Sequence, residues 1–219
     1  MTDISLLDGT SAAIVFGGTA LATLLRCGPR ECGIAFRELA SLGGQRFRAD
    51  EARAELAVQV QQIRKDGLLR VEPLHTGDSE FDEATDALIR GRSITGLVAA
   101  HERHKARRQR ASNTAVRLFA QAAELAPVFG MVGTLVSLST MPKGLGDFSG
   151  AIAMAVQTTL YGLLIANLLF APLARIVERA AAQEERERQK LVDWLTAQVV
   201  EACPTAAPHE RRRAGAEAA

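Results

Sequence analysis

The chain has 219 residues, and its 26 basic and 25 acidic side chains leave a net charge of +1. This balance argues against nucleic-acid binding through bulk positive charge, and an apolar content of 47% is too high for a disordered chain. The mean hydropathy of +0.04 would by itself suggest a soluble helical protein. The charges are segregated along the chain, however, so this average describes no single part of it.

Three stretches with almost no charged residues predict membrane-spanning helices at 9–25, 118–141 and 151–174. A helix needs about 20 apolar residues to cross the hydrocarbon core of a bilayer. The third stretch meets this length, and the second does so if Gln121 and Glu124 are tolerated at its edge. The first is the shortest and could instead be the apolar region of a signal peptide, although no basic residue precedes it.

The positions of Lys and Arg predict how the chain is oriented in the membrane. Basic residues are concentrated in 26–117 and in the part that follows the third span. The N-terminus 1–8 has none, and the loop 142–150 has only Lys143. By the positive-inside rule, the two basic parts lie in the cytoplasm, and the N-terminus and the loop face outward.

The two cytoplasmic parts are predicted to be helical. Within 26–117, the apolar spacing predicts helices that end at Gly67 and at Gly91, and a third helix that continues into the second span. After the third span, 175–203 is predicted to be a helix and 204–219 a disordered tail. The fold class is therefore an all-α integral membrane protein with about three transmembrane helices, a large helical cytoplasmic loop and a cytoplasmic C-terminal helix.

No metal, cofactor or enzymatic site is predicted. His101 and His104 lie three residues apart in a basic stretch, but no cysteine or well-spaced carboxylate joins them, so we predict a solvated helix face. Cys27, Cys32 and Cys203 would lie at the reducing cytoplasmic side and are predicted to be free thiols. The chain has no nucleophile–base pair and no phosphate-binding loop, so catalysis is not expected.

The second and third spans carry small and polar residues at helical spacing, which predicts close helix packing. Thr134 and Thr159 lie near mid-span, where each hydroxyl either bonds to its own helix backbone or lines an ion path. No Asp, Glu, Lys, Arg or His lies deep in a span, and a proton relay usually needs one. The nearest carboxylate is Glu124, a possible cytoplasmic ion exit, so a partner must bring the acid if ions cross here.

Pro127 and Pro172 lie near the inner ends of the second and third spans. Each proline removes a helix hydrogen bond and can kink the helix. The residues alone leave two interpretations open. The kink is either static or a hinge that couples ion passage to motion of the cytoplasmic part.

Four segments resemble the MotA/TolQ/ExbB ion-channel family, and specifically its MotA/PomA flagellar stator branch. In chain order they are TSAAIVFGGTALATLL, KDGLLRVE, ELAPVFGMVGTLVSL and AIAMAVQTTLYGLLIANLLFAPLA. The first, third and fourth are similar to the second, third and fourth membrane helices of that branch. KDGLLRVE is similar to its cytoplasmic signature. The order of the segments and the large cytoplasmic insertion also match, so the likeness covers about 8–200.

The resemblance implies a flagellar motor stator subunit of the bacterial inner membrane, which conducts H⁺ or Na⁺ and converts ion-motive force to rotor torque. It implies a homo-oligomeric, pentameric ring in membrane lipid around a MotB-like, one-span, peptidoglycan-binding partner whose helix carries the ion-accepting Asp. Arg64 and Glu72, on either side of Gly67, match the charged residues that contact the flagellar rotor protein. No nucleic-acid partner is expected.

The same resemblance assigns roles to residues in the spans. Thr134 and Thr159 match threonines that line the ion path, and Thr158 is beside the latter. Thr at the Thr134 position is the pattern of sodium-type stators, whereas some proton-type members have Ala. Pro127 and Pro172 match the two functional prolines of the family.

One feature departs from the family pattern. The stator branch has four membrane helices, whereas this sequence begins where the second should. Either the start is placed too late or the chain is a shortened paralogue. The alternatives are an ExbB/TolQ-type energiser of outer-membrane transport, against which KDGLLRVE and the APLA ending speak, and a non-conducting membrane scaffold without the first helix.

Overall fold

The regular structure is helical throughout the described part of the chain, which confirms the all-α prediction. The computed structural model describes residues 9–44, 47–67, 77–91, 93–139 and 148–202. Its elements, in order, are α1 (Gly9–Cys27), α2 (Pro29–Ser41), α3 (Ala49–Asp66), α4 (Ser79–Gly91), α5 (Ile94–Ser139), α6 (Phe148–Leu164), a π-helical segment (Ile165–Phe170) and α7 (Ala171–Ala202). Several predicted features lie outside the described residues: Glu72, Cys203, the N-terminus 1–8, most of the loop 142–150 and the tail 204–219.

Two helical runs are long and apolar enough to cross a membrane. They are α5 and the run Ser149–Ala202, which joins α6, the π-helical segment and α7. A third candidate exists if α1 and α2 together form one broken span, since they are bent by 112° at their junction. The described residues therefore carry two or three candidate spans, in agreement with the prediction of about three.

The bend between α1 and α2 occurs at Gly28. Its φ of 83° and ψ of 160° lie in a region that is essentially restricted to glycine. Pro29 then occupies the first turn of α2, where its missing N–H costs no helix hydrogen bond. The Gly-Pro pair thus ends one helix and starts the next in another direction.

Because the bend depends on a backbone conformation, Gly28→Ala is expected to destabilise the protein by about 1–3 kcal/mol. A Cβ at Gly28 meets nothing within 4 Å, so the loss would come from backbone strain rather than a clash. The matched control is Gly33→Ala in α2, where the added Cβ also meets nothing and helix propensity favours Ala. Thermal unfolding in detergent should give a lower Tm for the first variant only, and equal Tm values would contradict this account.

The chain divides into two compact units. Unit 1 is Met1–Gly44 with Ala111–Ala180, and unit 2 is Gln45–Arg110 with Ala181–Ala219. The unit 1 core joins α2, α5 and α7 and contains Ala35, Ala115, Leu118, Phe119, Ala174 and Val177. The unit 2 core joins α3, α4, α5 and α7 around fully buried Leu56, Ile63, Phe81, Leu88, Leu97 and Leu195. Burial of these apolar side chains stabilises each unit.

One local prediction is wrong. His101 does not lie on a solvated face, since it is buried and only 1% exposed. Its Nδ1 lies 2.5 Å from Glu80 Oε1 and its Nε2 lies 3.1 Å from Gln189 Oε1. His104 is half-buried and lies 2.7 Å from Glu83 Oε2. Both rings therefore pair with side chains from α4 or α7 rather than with water alone.

Candidate functional site

The candidate site in unit 1 is built on the contact between α5 and α6, where glycines let the two backbones meet. A Cβ added at Gly162 would come within 2.7 Å of the carbonyl oxygen of Ala126. One added at Gly130 would come within 3.0 Å of the carbonyl oxygen of Thr158, and one at Gly133 within 2.7 Å of the Thr158 side chain. Real Cβ contacts are essentially never as short as 2.7 Å, so a larger residue at Gly133 or Gly162 requires a shift of its neighbour, and the contact at Gly130 is also tight. The close packing predicted from the small residues is confirmed.

The three threonines predicted to line an ion path lie at or near this contact. Thr158 is fully buried and donates its hydroxyl to the carbonyl of Ala155, with an oxygen–oxygen distance of 2.9 Å. Thr159 and Thr134 remain partly exposed. The Thr159 hydroxyl donates to Ala155 at 3.2 Å, and that of Thr134 donates to Met131 at 2.6 Å.

The sequence left open whether these threonine hydroxyls bond to their own helix or line an ion path, and the bonds described here are compatible with both. Each hydroxyl bonds back to its own helix, as expected for a threonine in an apolar setting. A hydroxyl that donates its proton still has oxygen lone pairs that can accept a hydrogen bond or approach a cation. Thr134 and Thr159 therefore offer acceptor oxygens on a partly exposed surface, whereas the Thr158 side chain is buried in the single chain. The ion-path role of the three threonines stays a prediction.

A second polar face, on α1, was not singled out from the sequence. Thr19 and Thr23 are buried, and their hydroxyls donate to carbonyls four residues earlier at 2.6 and 2.7 Å. The same helix contacts α6. A Cβ at its Gly18 would overlap the ring of Phe129 on α5. The four-residue spacing of the threonines was a visible signal for a buried helix face.

The two prolines lie in different local structures. Pro127 lies inside α5, which is assigned as one helix from Ile94 to Ser139. Pro172 is the second residue of α7, and only Ala171 separates it from the π-helical segment. The Ala171 N–H donates to the carbonyl of Ala166, five residues earlier, which marks the π-helical register. A π-turn next to a proline is a common cause of a local helix irregularity.

The charged candidates lie apart from the threonines in the sequence and differ in their surroundings. Glu124 is exposed on α5, three residues before Pro127. Arg64 is exposed in the last turn of α3, and its Nη2 donates to Gln198 Oε1 at 3.0 Å. The same Nη2 lies 3.1 Å from Glu201 Oε2. Exposed pairs of this kind contribute little to stability, and the Arg64 side chain is 44% exposed.

A model of the MotA/TolQ/ExbB proton channel family matches residues 75–190, which is more than half of the chain. The chain belongs to this family. The matched region contains the α5–α6 contact, the three threonines and both prolines, whereas Arg64 and Glu72 lie before it. The resemblance recognised in the sequence is thereby confirmed.

Two relatives of the chain have names that refer to chemotaxis or motility. Chemotaxis protein PomA of Vibrio alginolyticus is 28% identical over 202 residues, which cover 87% of this chain and 77% of PomA. Motility protein A of Cereibacter sphaeroides is 29% identical over 197 residues, which cover 86% of this chain and 76% of that protein. Both relatives are thus matched over most of their own length, one as a chemotaxis protein and the other as a motility protein.

A solved structure supports the fold independently. The structure of C. jejuni MotAB matches with a TM-score of 0.79 at 20% sequence identity. The match covers 90% of this chain and 79% of that chain. The helical membrane-protein fold of the family is therefore present here.

Proposed function

We propose that the chain is the ion-conducting, MotA-like subunit of a flagellar stator and converts an H⁺- or Na⁺-motive force into rotor torque. The observation that carries this proposal is the tight α5–α6 contact, beside which Thr134 and Thr159 remain partly exposed. The similarity to PomA and to Motility protein A supports the flagellar role. The proposed activity is transport and torque generation and includes no enzymatic step, cofactor or nucleic acid.

A partner must supply the acid that accepts the ion. From Leu125 to Ser139 and from Phe148 to Ala174 the sequence has no Asp, Glu, Lys, Arg or His. Proton relays through a membrane are built on ionisable side chains. We therefore assign the carboxylate to a MotB-like, one-span, peptidoglycan-binding partner whose helix lies against Thr134 and Thr159. The similar C. jejuni structure is of MotAB, which supports this pairing.

The exposed apolar surface of unit 1 supports an assembly in a bilayer. Large apolar side chains are exposed on α5, α6 and the π-helical segment. Among the most exposed, at 55 to 71%, are Met131, Leu135, Val156 and Leu168. Such a surface is unfavourable in water but is expected where a helix faces lipid, a partner helix or another copy of the chain. We propose a homo-oligomeric ring, pentameric by resemblance to the family.

Torque would be transmitted through residues outside the spans. In the proposed orientation unit 2 is cytoplasmic, and Arg64 and Glu72 contact the rotor protein. Glu124 lies at the cytoplasmic ion exit. Pro127 and Pro172 act as hinges, and the π-helical segment before Pro172 supports this role because a helix with an irregular hydrogen-bond register bends more easily.

Co-expression tests the proposal. The chain, expressed with a MotB-like one-span protein in a bacterium that lacks its own stator, is expected to restore swimming. Expression with a partner whose membrane Asp is replaced by Asn should restore none, because the acid would be absent. Swimming in medium with K⁺ in place of Na⁺ would then identify H⁺ as the ion. Ion uptake without swimming would favour an energiser of outer-membrane transport, and neither uptake nor swimming would favour a scaffold.

A further inference from the structure

A buried ionic cluster in unit 2 has no role in the proposed ion path. We call it the Glu80 cluster, and it consists of Glu80 on α4, His101 and Arg108 on α5, and Arg188 on α7. The Glu80 side chain is only 2% exposed. Its carboxylate accepts hydrogen bonds from Arg108, from Arg188 Nη1 at 2.8 Å and from His101 Nδ1 at 2.5 Å. One carboxylate thus connects three helices.

The two arginines of the Glu80 cluster have further acidic partners. Arg188 Nη1 lies 2.9 Å from Asp78 Oδ2, and its Nε donates to Glu184 at 2.9 Å. Arg108 Nη2 donates to Glu185 Oε2 at 2.9 Å. Asp78 also accepts the backbone N–H of Glu80 and so caps the start of α4. The cluster therefore holds the backbone of the first turn of α4, through Asp78, as well as the Glu80 side chain.

The hydrogen bonds around His101 require a proton on both ring nitrogens. Its Nε2 faces Gln189 Oε1 at 3.1 Å, and the same oxygen accepts from Lys105 Nζ at 3.2 Å. The amide nitrogen of Gln189 donates to Asp193 at 3.0 Å. Since lysine can only donate and a carboxylate can only accept, this amide cannot be turned around. Both ring nitrogens of His101 thus face acceptors, and both must donate.

We propose that His101 is a buried imidazolium that holds α4, α5 and α7 together, and that loss of its proton is a pH-operated release of the start of α4. In the neutral ring one nitrogen would present a lone pair to an acceptor oxygen, either of Glu80 or of Gln189. A buried group left without its hydrogen bond is costly. Loosening would therefore begin at the contacts of Glu80 and Gln189 with the ring.

The charges around the ring agree with this geometry. The hydrogen bond to Glu80 raises the pKa of His101 above its ordinary value, against the effect of burial, and Gln189 and Glu185 raise it further. Burial alone would raise the pKa of Glu80, but hydrogen bonds from His101 and Arg108 and the nearby arginine charges lower it to about 2. Lys105 shares the Gln189 oxygen with the ring, and Arg108 and Arg188 share the Glu80 carboxylate with it. Arg108 also pairs with Glu185, and Arg188 with Asp78 and Glu184.

The direction of the pH dependence follows from the raised pKa. A histidine whose folded-state pKa lies above its unfolded-state value stabilises the fold fully below the unfolded value, about 6.5. This contribution is lost as the pH rises through the folded-state pKa. Alkaline conditions are therefore expected to release α4, and acidic conditions near pH 6 to hold it.

The release would act at a helix that follows, in the sequence, a proposed contact with the rotor. Segment 68–76, which contains Glu72, lies between α3 and α4 in the sequence, and Asp78 and Glu80 follow within four residues of its end. Only this consequence rests on the proposed function. The proton-dependent contact itself can be measured on the purified chain without partner or rotor, so failure of one claim is distinguishable from failure of the other.

The test measures thermal unfolding of the full chain in detergent from pH 6 to 9.5, together with hydrogen–deuterium exchange of the α4 peptide. The wild-type Tm is expected to fall as the pH rises, with loss of α4 protection. His101→Gln should have a lower Tm at pH 6 and should lack this pH-dependent fall. The matched control is His104→Gln on the same helix, which removes a more exposed His–Glu pair and should keep the wild-type dependence.

A second variant keeps the test decisive if His101→Gln folds poorly. Glu185 Oε1 lies 3.8 Å from His101 Nε2, so Glu185→Gln removes a negative charge that favours the imidazolium. Its transition should therefore shift to lower pH than that of the wild type. The proposal is overturned by a wild-type Tm that does not fall over this range, by an equal fall in His101→Gln, or by an unshifted transition in Glu185→Gln.

Discussion

Gly162→Ala is expected to lower the stability of the chain by about 1–3 kcal/mol, the usual effect of adding a methyl group to a filled contact. The new Cβ would lie 2.7 Å from the carbonyl oxygen of Ala126, and its other close neighbours are the Cα atoms of Gly130 and Pro127. These are all backbone atoms, so no side chain can rotate away and α5 itself must shift. Helix propensity favours Ala over Gly, so a loss of stability can only come from the clash.

The measurement is the Tm of the purified chain in detergent, together with swimming in the co-expression system. Gly17→Ala is the matched control, because it makes the same change on α1, where the added Cβ meets nothing within 4 Å. We expect the control to keep its Tm and its swimming, and Gly162→Ala to lose a large part of both. Equal behaviour of the two variants would mean that the α5–α6 contact is not as close as described.

The contacts that the sequence predicted are those that depend on local spacing. Glycines and alanines at steps of three and four along α5 and α6 indicated a close contact, since such steps place residues on one helix face. Helix ends at Gly67 and Gly91 followed from local signals in the same way. Pro172 indicated an irregular helix, and the π-helical segment ends two residues before it.

The Glu80 cluster could not be predicted in this way. His101 lies in the charged stretch HERHKARRQR, which is typical of a solvated helix. Its partners are 21 and 88 residues away, and the Glu80–Arg188 pair is separated by 108 residues. Ion pairs between distant helices leave no periodic pattern in the sequence. Their burial depends on how α4, α5 and α7 pack, which only the three-dimensional structure describes.

Replacing both Thr134 and Thr159 with Val is expected to reduce ion flux about a hundredfold while the fold is retained. Valine has nearly the shape of threonine, and each hydroxyl donates within the described structure to a carbonyl of its own helix, so its loss leaves no buried donor unpaired. Hydrogen bonds to a charged species contribute about 1.5–3 kcal/mol each. Loss of two raises the barrier by about 3 kcal/mol, and each 1.4 kcal/mol slows the rate about tenfold.

The matched control is the double replacement of Thr19 and Thr23 with Val. These hydroxyls make the same kind of backbone bond, but they are buried in α1 and offer no accessible oxygen to an ion. Flux is measured as light-driven or gradient-driven H⁺ or Na⁺ uptake in vesicles that contain the chain and its MotB-like partner. Undiminished uptake in the Thr134/Thr159 variant, or an equal loss in the α1 control, would remove these two residues from the ion path. Loss in the first variant alone would assign conduction to the exposed threonine oxygens rather than to polarity of the spans in general.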